Sequence, residues 1–448
     1  MRFSYLGLVP ALLVAGPPAG PDLGERLATA VASGRVAWRL SEPPEIKEAL
    51  GAPLEEQRGR DGGLEILTWI YGPEARVVFW RDAGKDGPFV LAKAQVRGEW
   101  SGPRPGDLLV LREGKDLAKL RTFTGLQNVD ASRVDLRQEG ERLRLLPFDT
   151  STRWPGKERL PEGFDPLALM EKGRNPGLGV RALHARGLDG RGVEIGIIDQ
   201  PLVPDHPEVA GRLKMAGELE VAGIQPQMHG PAVSSLAAGR TCGVAPGATV
   251  HYVAMAMWKS PALGNKLYLQ ALERLLELKR TGGARIRVVS ISYGGFGSAP
   301  DAAAWNALVA RAEAEGVLVI TCDGKGMGLE WGLLRPLPAG DRERPEGYSK
   351  GSYGGGLLVP GDGRTFAHHL GTGAFAYAPM GGMSWGAPWL AGLAALGFQA
   401  NPALTPAQIR TFLVQSATEM PYGRVVNPEA FMGLCRSEAG GSGPGKRS

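Results

Sequence analysis

Ser384 occupies the position in this chain that most directly suggests chemistry. It follows the turn residue Gly382 and leads into an apolar, alanine-rich run of helical spacing that continues to Gly392. In the first turn of a buried helix, free backbone N–H groups and the helix dipole favour negative charge. Ser384 is therefore a candidate nucleophile, provided that a base and an acid lie elsewhere in the chain.

Asp199 and His229 are the candidate acid and base. Asp199 ends an apolar strand predicted at 193–198, and parallel sheets bind their ligands at the carboxyl ends of strands. A strand-ending aspartate is also a common turn or cap residue, so both interpretations stay open. Of the six histidines, only His229 opens a glycine-containing turn into an apolar helix. That position predicts a fixed ring, as a base or as a capping or core histidine.

Helices and strands must alternate to position these side chains. The sequence predicts helix 231–238 before strand 249–254, helix 263–280 before strand 287–292, and helix 302–315 before strand 317–321. The strands are nearly continuous apolar runs, which indicates burial on both faces. We therefore expect an α/β fold with a parallel sheet flanked by helices.

The chain ahead of this region has a different character. Residues 41–150 predict a smaller N-terminal α+β domain, with a helix that ends near Gly51 and strands at 64–71, 75–81 and 89–96. Further strand-like pieces lie at 108–111 and 143–146. We expect a linker at 151–176, a domain boundary near residue 175 and a disordered tail at 434–448.

The N-terminus predicts export. Residues 1–20 combine one positive charge, a short apolar run and small residues, which is typical of a secretory signal. We therefore expect a secreted or periplasmic protein, with no later segment long enough to span a membrane. The N-terminal domain could be a propeptide removed on maturation or a permanent targeting unit.

The remaining composition points away from other classes of function. The formal charge is +5, but the basic residues are scattered among acidic ones, so no nucleic-acid surface is expected. Cys242, Cys322 and Cys435 are too few for a disulfide scaffold and too widely spaced for a zinc site. We expect three buried thiols.

No metal or cofactor is predicted. No acidic, glycine-containing loop supports a structural calcium ion. The stretch 205–208 is expected to solvate a turn through its carboxylates. The pair His368-His369 is expected to be exposed and without a spaced metal-ligating partner.

Taken together, several ordered segments resemble the subtilisin-like serine peptidase family. They are Gly196-Ile197-Ile198-Asp199, His229-Gly230-Pro231-Ala232-Val233, and the stretches 243–248, 289–295, 382–392 and 426–428, and the likeness covers residues 177–433. The resemblance implies that Ser384 is the nucleophile, His229 the general base and Asp199 the group that orients the imidazole. It further implies a substrate strand beside Ser292, Tyr293 and Gly294, and a secreted endopeptidase that forms an acyl-enzyme.

Three departures from the family pattern surround the triad without removing a member of it. Gln200-Pro201 replaces the usual Thr-Gly or Ser-Gly after the aspartate. Ala232 stands where a second histidine is usual, and Met383 precedes the nucleophile where threonine is usual.

A fourth departure affects the oxyanion hole. In ungapped register, Lys325 falls where the family has an asparagine donor, and a shift of one or two residues would present Asp323 instead. Losing one such donor costs about 10²–10³ in turnover, so a slower or differently tuned enzyme is expected. The alternatives are a non-catalytic module of the same fold that binds a peptide or partner, and a non-proteolytic acyl hydrolase.

Overall fold

The structure is a computed structural model and contains two compact units, Met1–Phe164 and Asp165–Ser448. The residues that it describes are 23–33, 35–61, 64–82, 88–96, 99–101, 108–120, 124–256, 265–298, 300–323 and 328–440. The predicted signal segment at 1–20 lies outside them. The division between the units falls inside 151–176, the segment expected to be a linker.

The first unit is built around an antiparallel sheet of five strands in the order β1-β2-β3-β4-β5. In chain order its elements are α1 (Leu23–Ala32), α2 (Pro43–Leu50), β1 (Glu55–Asp61), β2 (Leu64–Gly72), β3 (Ala75–Asp82), β4 (Val90–Val96), β5 (Glu99–Ser101), β6 (Leu109–Val110), β7 (Val129–Asp130), α3 (Gly140–Leu143) and β8 (Phe148–Asp149). The helices contribute Leu27 and Ile46 to an apolar cluster with Trp69 and Phe79 of the sheet. The helix and three strands predicted between residues 41 and 100 are all present.

One strand predicted in this unit is wrong. Residues 143–146 close the short helix α3 and the turn after it. Leu143 and Leu146 are buried while the two residues between them are exposed. That spacing of three matches a helical turn, whereas a strand would alternate its buried side chains.

The second unit is organised around a parallel five-stranded sheet. In chain order its elements are α4 (Pro166–Arg174), α5 (Val180–Ala185), β9 (Glu194–Asp199), β10 (Leu213–Leu219), α6 (His229–Ala238), β11 (Thr249–Met255), α7 (Lys266–Arg280), β12 (Ile286–Ile291), α8 (Ala302–Ala314), β13 (Leu318–Thr321), β14 (Trp331–Pro336), β15 (Tyr348–Gly354), β16 (Leu357–Pro360), β17 (Arg364–Ala367), β18 (Phe375–Ala378), α9 (Met383–Ala400), α10 (Pro406–Gln415), β19 (Thr418–Met420), β20 (Gly423–Val425) and α11 (Pro428–Gly440). The sheet order is β10-β11-β9-β12-β13, with every neighbouring pair parallel.

Apolar clusters cover both faces of this sheet. One contains residues of α6 and α9, and the other contains residues of α7 and α8. The expectation of an α/β fold with a buried parallel sheet is confirmed. Two further groups of strands, a mixed sheet in the order β15-β14-β16-β20-β19 and the antiparallel pair β17-β18, complete the unit.

Two boundaries differ from the expected ones. The end of the expected linker is the helix α4, which Asp165 caps by accepting from the Ala168 N–H at 3.0 Å, and which buries Met170. The tail expected to be disordered from residue 434 continues α11 as far as Gly440, because Cys435 on that helix is fully buried. Among the described residues, no helix has the length and apolar character needed to cross a membrane.

Candidate active site

Asp199 lies at the carboxyl end of the central strand β9. Its neighbours in the parallel register are Ala254 on β11 and, beside the preceding Ile198, Ile291 on β12. The Asp199 side chain is buried, and its Oδ1 accepts a hydrogen bond from the Gln200 N–H at 2.8 Å. A buried carboxylate that must keep its hydrogen bonds has little freedom to turn.

His229 is the first residue of α6 and meets Asp199 directly. Its Nδ1 lies 2.7 Å from Asp199 Oδ1, and one fifth of its side-chain surface is exposed. Since an ionised carboxylate only accepts, Nδ1 carries the proton and Nε2 of the neutral ring is left as a base. Burial lowers the pKa of His229, but the charge and hydrogen bond of Asp199 outweigh it and leave the pKa raised.

Ser384 is the second residue of α9, which starts after Gly382 with a left-handed φ of 66°. Its hydroxyl donates to the Ser292 carbonyl at 3.3 Å, and the Ser292 hydroxyl donates to the Ser384 carbonyl at 2.9 Å. The next residue, Trp385, places its ring 5.3 Å from the His229 ring, centroid to centroid. The three predicted catalytic residues therefore lie around one region, with Asp199 and His229 in direct contact.

Helices α6 and α9 pack closely through small residues. A methyl group added at Gly392 on α9 would lie 2.6 Å from Val244 Cβ and 2.9 Å from the Ala237 carbonyl oxygen. These distances are too short for ordinary contacts, so glycine is required for the observed approach. Because His229 and Ser384 begin these two helices, the packing also fixes where the two side chains lie.

The segment Ser292, Tyr293 and Gly294 continues from β12 beside Ser384. The Tyr293 carbonyl accepts from the Cys322 N–H at 2.9 Å, and its exposed ring stacks on Tyr268 with centroids 4.7 Å apart. At Gly294, an added Cβ would lie 2.8 Å from Asp323 Oδ1. This glycine therefore allows the segment to run close to the aspartate.

The side chain of Asp323 acts as an acceptor. Its two oxygens accept from the Gly295 and Phe296 N–H groups at 2.6 Å each. Both oxygens of this side chain are therefore occupied by backbone donors. The other predicted oxyanion residue, Lys325, lies outside the described residues.

Cys322 lies between these groups as a protonated thiol. Burial, followed by the charges of Asp199 and Asp323, raises the pKa of Cys322 to about 12. The thiolate is the nucleophilic form of cysteine, so Cys322 does not compete with Ser384 near neutral pH. Cys242 and Cys435 are buried as expected, whereas Cys322 is only partly buried, and all three are free thiols.

The Glu208 carboxylate binds a turn, as expected for the stretch 205–208: it is buried and accepts from the Thr241 and Cys242 N–H groups and from the Thr241 hydroxyl. The exposure expected for the pair His368-His369 is wrong for His368. His368 is also buried rather than exposed, and desolvation lowers its pKa to about 3. In both cases the tertiary fold supplies the burial, which the local sequence does not reveal.

Comparison with known proteins identifies the family. The model of the subtilase family matches residues 190–354 and 355–432, together more than half of the chain. The subtilisin-like protease PopC of Myxococcus xanthus is 27% identical over 455 residues, covering 90% of this chain and 93% of that protein. Subtilisin Savinase of Lederbergia lenta is 28% identical over 272 residues, covering 56% of this chain and 94% of that protein.

Solved structures of related proteins are also similar. The crystal structure of a cold adapted subtilisin-like serine proteinase has 21% sequence identity and a TM-score of 0.41, and the match covers 53% of this chain and 89% of that chain. The family match includes the segments that hold Asp199, His229 and Ser384. The chain belongs to the subtilase family and is a serine-type endopeptidase.

Proposed function

We propose that this endopeptidase hydrolyses peptide bonds with Ser384 as nucleophile, His229 as general base and Asp199 as the group that orients the imidazole. The observation that carries the proposal is the 2.7 Å contact between His229 Nδ1 and Asp199 Oδ1, beside the first turn of α9. A serine hydroxyl becomes an effective nucleophile when an imidazole takes its proton, and the buried carboxylate stabilises the imidazolium that forms.

The chemistry proceeds in two halves. Ser384 Oγ attacks the peptide carbonyl while its proton passes to His229 Nε2, and the tetrahedral intermediate collapses as that proton moves to the leaving amine. A water molecule then attacks the acyl-enzyme with the same imidazole as base, which releases the new carboxyl group and restores the Ser384 hydroxyl. Each half needs donors for the oxyanion.

We propose that the oxyanion hole is atypical. One donor is the Ser384 backbone N–H, which lies in the first turn of α9, where N–H groups have no acceptor within the helix. The second is the ammonium group of Lys325, at the sequence position of the family's asparagine. On this proposal, Lys325→Met lowers kcat about 10²–10³-fold, in line with the loss of one oxyanion donor.

The substrate is a peptide or protein chain. It would lie extended beside Ser292, Tyr293 and Gly294 and pair with their backbone as an added strand. The carbonyl of Tyr293 already pairs with Cys322 on one side of the segment. Asp323 takes the space beside Gly294, whereas a Cβ added at Gly295 would meet, among the described residues, only Tyr293 Oη, at 4.0 Å, which leaves room there for a substrate side chain.

The alternative is a non-catalytic module that binds a peptide or partner through the same segment. The observation in its favour is that the Ser384 hydroxyl donates to the Ser292 carbonyl in this structure. A fluorophosphonate probe separates the two functions because it reacts only with an activated serine.

The proposed enzyme predicts labelling that is lost in Ser384→Ala and retained in Ser349→Ala, a control on β15. An unlabelled wild-type protein between pH 4 and pH 9 would refute the enzyme and favour the binding module. Comparing ester and peptide substrates tests the third possibility, an acyl hydrolase that leaves peptides intact.

We also propose export to the periplasm or the medium, with removal of the predicted signal at residues 1–20. Mass spectrometry of the mature protein tests this directly. A start near residue 21 would support export with a permanent N-terminal unit, whereas a start close to the second unit would identify the first unit as a propeptide. Retention of Met1 in an intracellular protein would refute the proposal.

A further inference from the structure

Tyr252 makes a buried contact with the turn that follows Asp199. It lies on β11, opposite Ile197 of β9 and two residues before Ala254, the register partner of Asp199. Because side chains in a strand alternate between faces, Tyr252 and Asp199 project to the same side of the sheet. The ring is fully buried, and its hydroxyl donates to the carbonyl of Gln200.

The same point is also the start of the helix that carries His229. A Cβ added at Gly230 would lie 2.2 Å from the Gln200 carbonyl oxygen and 2.7 Å from Tyr252 Oη. The end of β9, the first turn of α6 and the Tyr252 hydroxyl thus meet without room for one methyl group. A displacement at this point changes the separation of Asp199 and His229.

The turn itself has few other supports. Pro201 has no N–H to donate. The Gln200 N–H donates to Asp199 Oδ1, and the Pro201 carbonyl accepts from Gln227 at 2.8 Å. The Tyr252 hydroxyl fixes the peptide plane between these two bonds.

We propose that Tyr252 is a positioning residue for catalysis: by binding the Gln200 carbonyl, it fixes the turn that aims the Asp199 carboxylate at His229 Nδ1. The inference rests on the proposed roles of Asp199, His229 and Ser384. Tyr252 touches none of the reacting atoms, so its effect is transmitted through the orientation of the imidazole.

The hydroxyl remains a donor throughout the working pH range. Burial, followed by the negative charge of Asp199, raises the pKa of Tyr252 well above its usual value. A buried carbonyl that loses its donor is left unsatisfied, which a buried turn avoids by shifting. Near-attack geometry is sensitive to such shifts, since a misplacement of about 1 Å costs as much as about 10²-fold in rate.

Tyr252→Phe tests the proposal, because it removes one oxygen and keeps the ring. We expect kcat to fall about tenfold to 10²-fold while KM changes less than about twofold. The acidic limb of the pH profile, where kcat/KM falls as the pH is lowered, should move to lower pH. A looser contact with Asp199 raises the pKa of His229 by a smaller amount, so the imidazole stays neutral to lower pH. A purely structural role would lower stability without moving this limb.

Tyr348→Phe is the matched control. Tyr348 is also buried and donates to a backbone carbonyl, that of Arg342, at 3.0 Å. Its loss should lower the thermal stability to a similar extent while kcat and the acidic limb keep their wild-type values. Wild-type kinetics in Tyr252→Phe, or an equal loss of kcat in Tyr348→Phe, would overturn the proposal.

A second variant covers the case in which Tyr252→Phe folds poorly. Gly230→Ala keeps the tyrosine side chain but places a methyl group against both the Gln200 carbonyl and the Tyr252 hydroxyl, which disturbs the bond between them. It should therefore shift the acidic limb in the same direction. An unchanged limb in folded Gly230→Ala would also overturn the proposal.

Fluorophosphonate labelling separates a failure of the role proposed for Tyr252 from a failure of the proposed function. Labelling that requires Ser384, His229 and Asp199 supports the proposed function, whichever result Tyr252→Phe gives.

Discussion

Replacing Asp323 by asparagine distinguishes two roles for this residue. If the carboxylate orders the segment 292–296, KM should rise, whereas if it donates to the oxyanion, kcat should change. The carboxylate accepts from the Gly295 and Phe296 N–H groups at 2.6 Å each. In Asp323→Asn, one oxygen can keep its donor, but the new NH₂ group faces the other N–H. One hydrogen bond to a charged group is lost, and such bonds contribute about 1.5–3 kcal/mol.

The lower end of that range applies because the Gly295 contact is exposed to solvent. A loss of about 1.5 kcal/mol corresponds to roughly tenfold in the equilibrium between the ordered and disordered segment. Since the segment is where the proposed substrate strand binds, we expect KM to rise up to about tenfold. We expect kcat to stay within about twofold of wild type, because no transition-state contact is removed.

The assay is steady-state hydrolysis of a series of chromogenic peptides of increasing length. Longer peptides should lose more affinity in Asp323→Asn, because they use more of the segment 292–296. If Asp323 instead donated to the oxyanion, asparagine would supply a permanent donor and kcat would rise. A change in kcat of about 10²–10³-fold at constant KM, in either direction, would refute the reasoning.

Three further predictions concern the triad and its support. In Asp199→Asn, a carboxylate that can only accept is replaced by an amide whose NH₂ group can donate to His229 Nδ1 and so favour the wrong tautomer. The kcat at neutral pH, measured by initial rates, should therefore fall about 10⁴-fold with unchanged KM. A loss below tenfold would contradict the assigned role. Asp199 raises the pKa of His229, and His229 must be neutral to act as a base. As the pH is lowered, wild-type kcat/KM should therefore fall with a midpoint above the ordinary pKa of histidine. A midpoint below the ordinary pKa would contradict the contact between Asp199 and His229. In Gly392→Ala the added methyl group meets Val244 and Ala237. This overpacking should lower the free energy of unfolding, measured with denaturant, by about 1–3 kcal/mol, despite the helix propensity of alanine. A gain in stability would show that α6 and α9 can move apart.

Much of the peptidase unit could be predicted because its central strands are continuous apolar runs between glycine-containing turns. The strand ending at Asp199 and the helix beginning near His229 follow from that pattern, and so does the sheet edge on which they lie. The strand β10 was missed because it is partly exposed and carries Lys214 and Glu218, so it lacks the apolar run of a central strand. Similarly, β1 was missed because its residues are mostly charged, as an edge strand permits.

The contacts that set the candidate site could not be predicted, because they join residues far apart in sequence. The Tyr252 hydroxyl reaches Gln200 across 52 positions, and Ser384 reaches Ser292 across 92. Apolar periodicity assigns Tyr252 to a strand but carries no information about the partner of its hydroxyl. The acceptor role of Asp323 likewise depends on two N–H groups from a neighbouring loop, which the local sequence does not place.

In this structure the hydroxyl of Ser384, the proposed nucleophile, donates to the Ser292 carbonyl. A hydroxyl has one proton to give, so it cannot serve the Ser292 carbonyl and the imidazole at once. On the proposed mechanism, a side-chain rotation of Ser384 exchanges one acceptor for the other, and such rotations take picoseconds to nanoseconds. The bond that must break is long, at 3.3 Å, and neutral bonds of this kind contribute about 0.5–1.5 kcal/mol. The hydrogen bond between the Ser384 hydroxyl and the Ser292 carbonyl therefore slows the proposed first chemical step by no more than about tenfold.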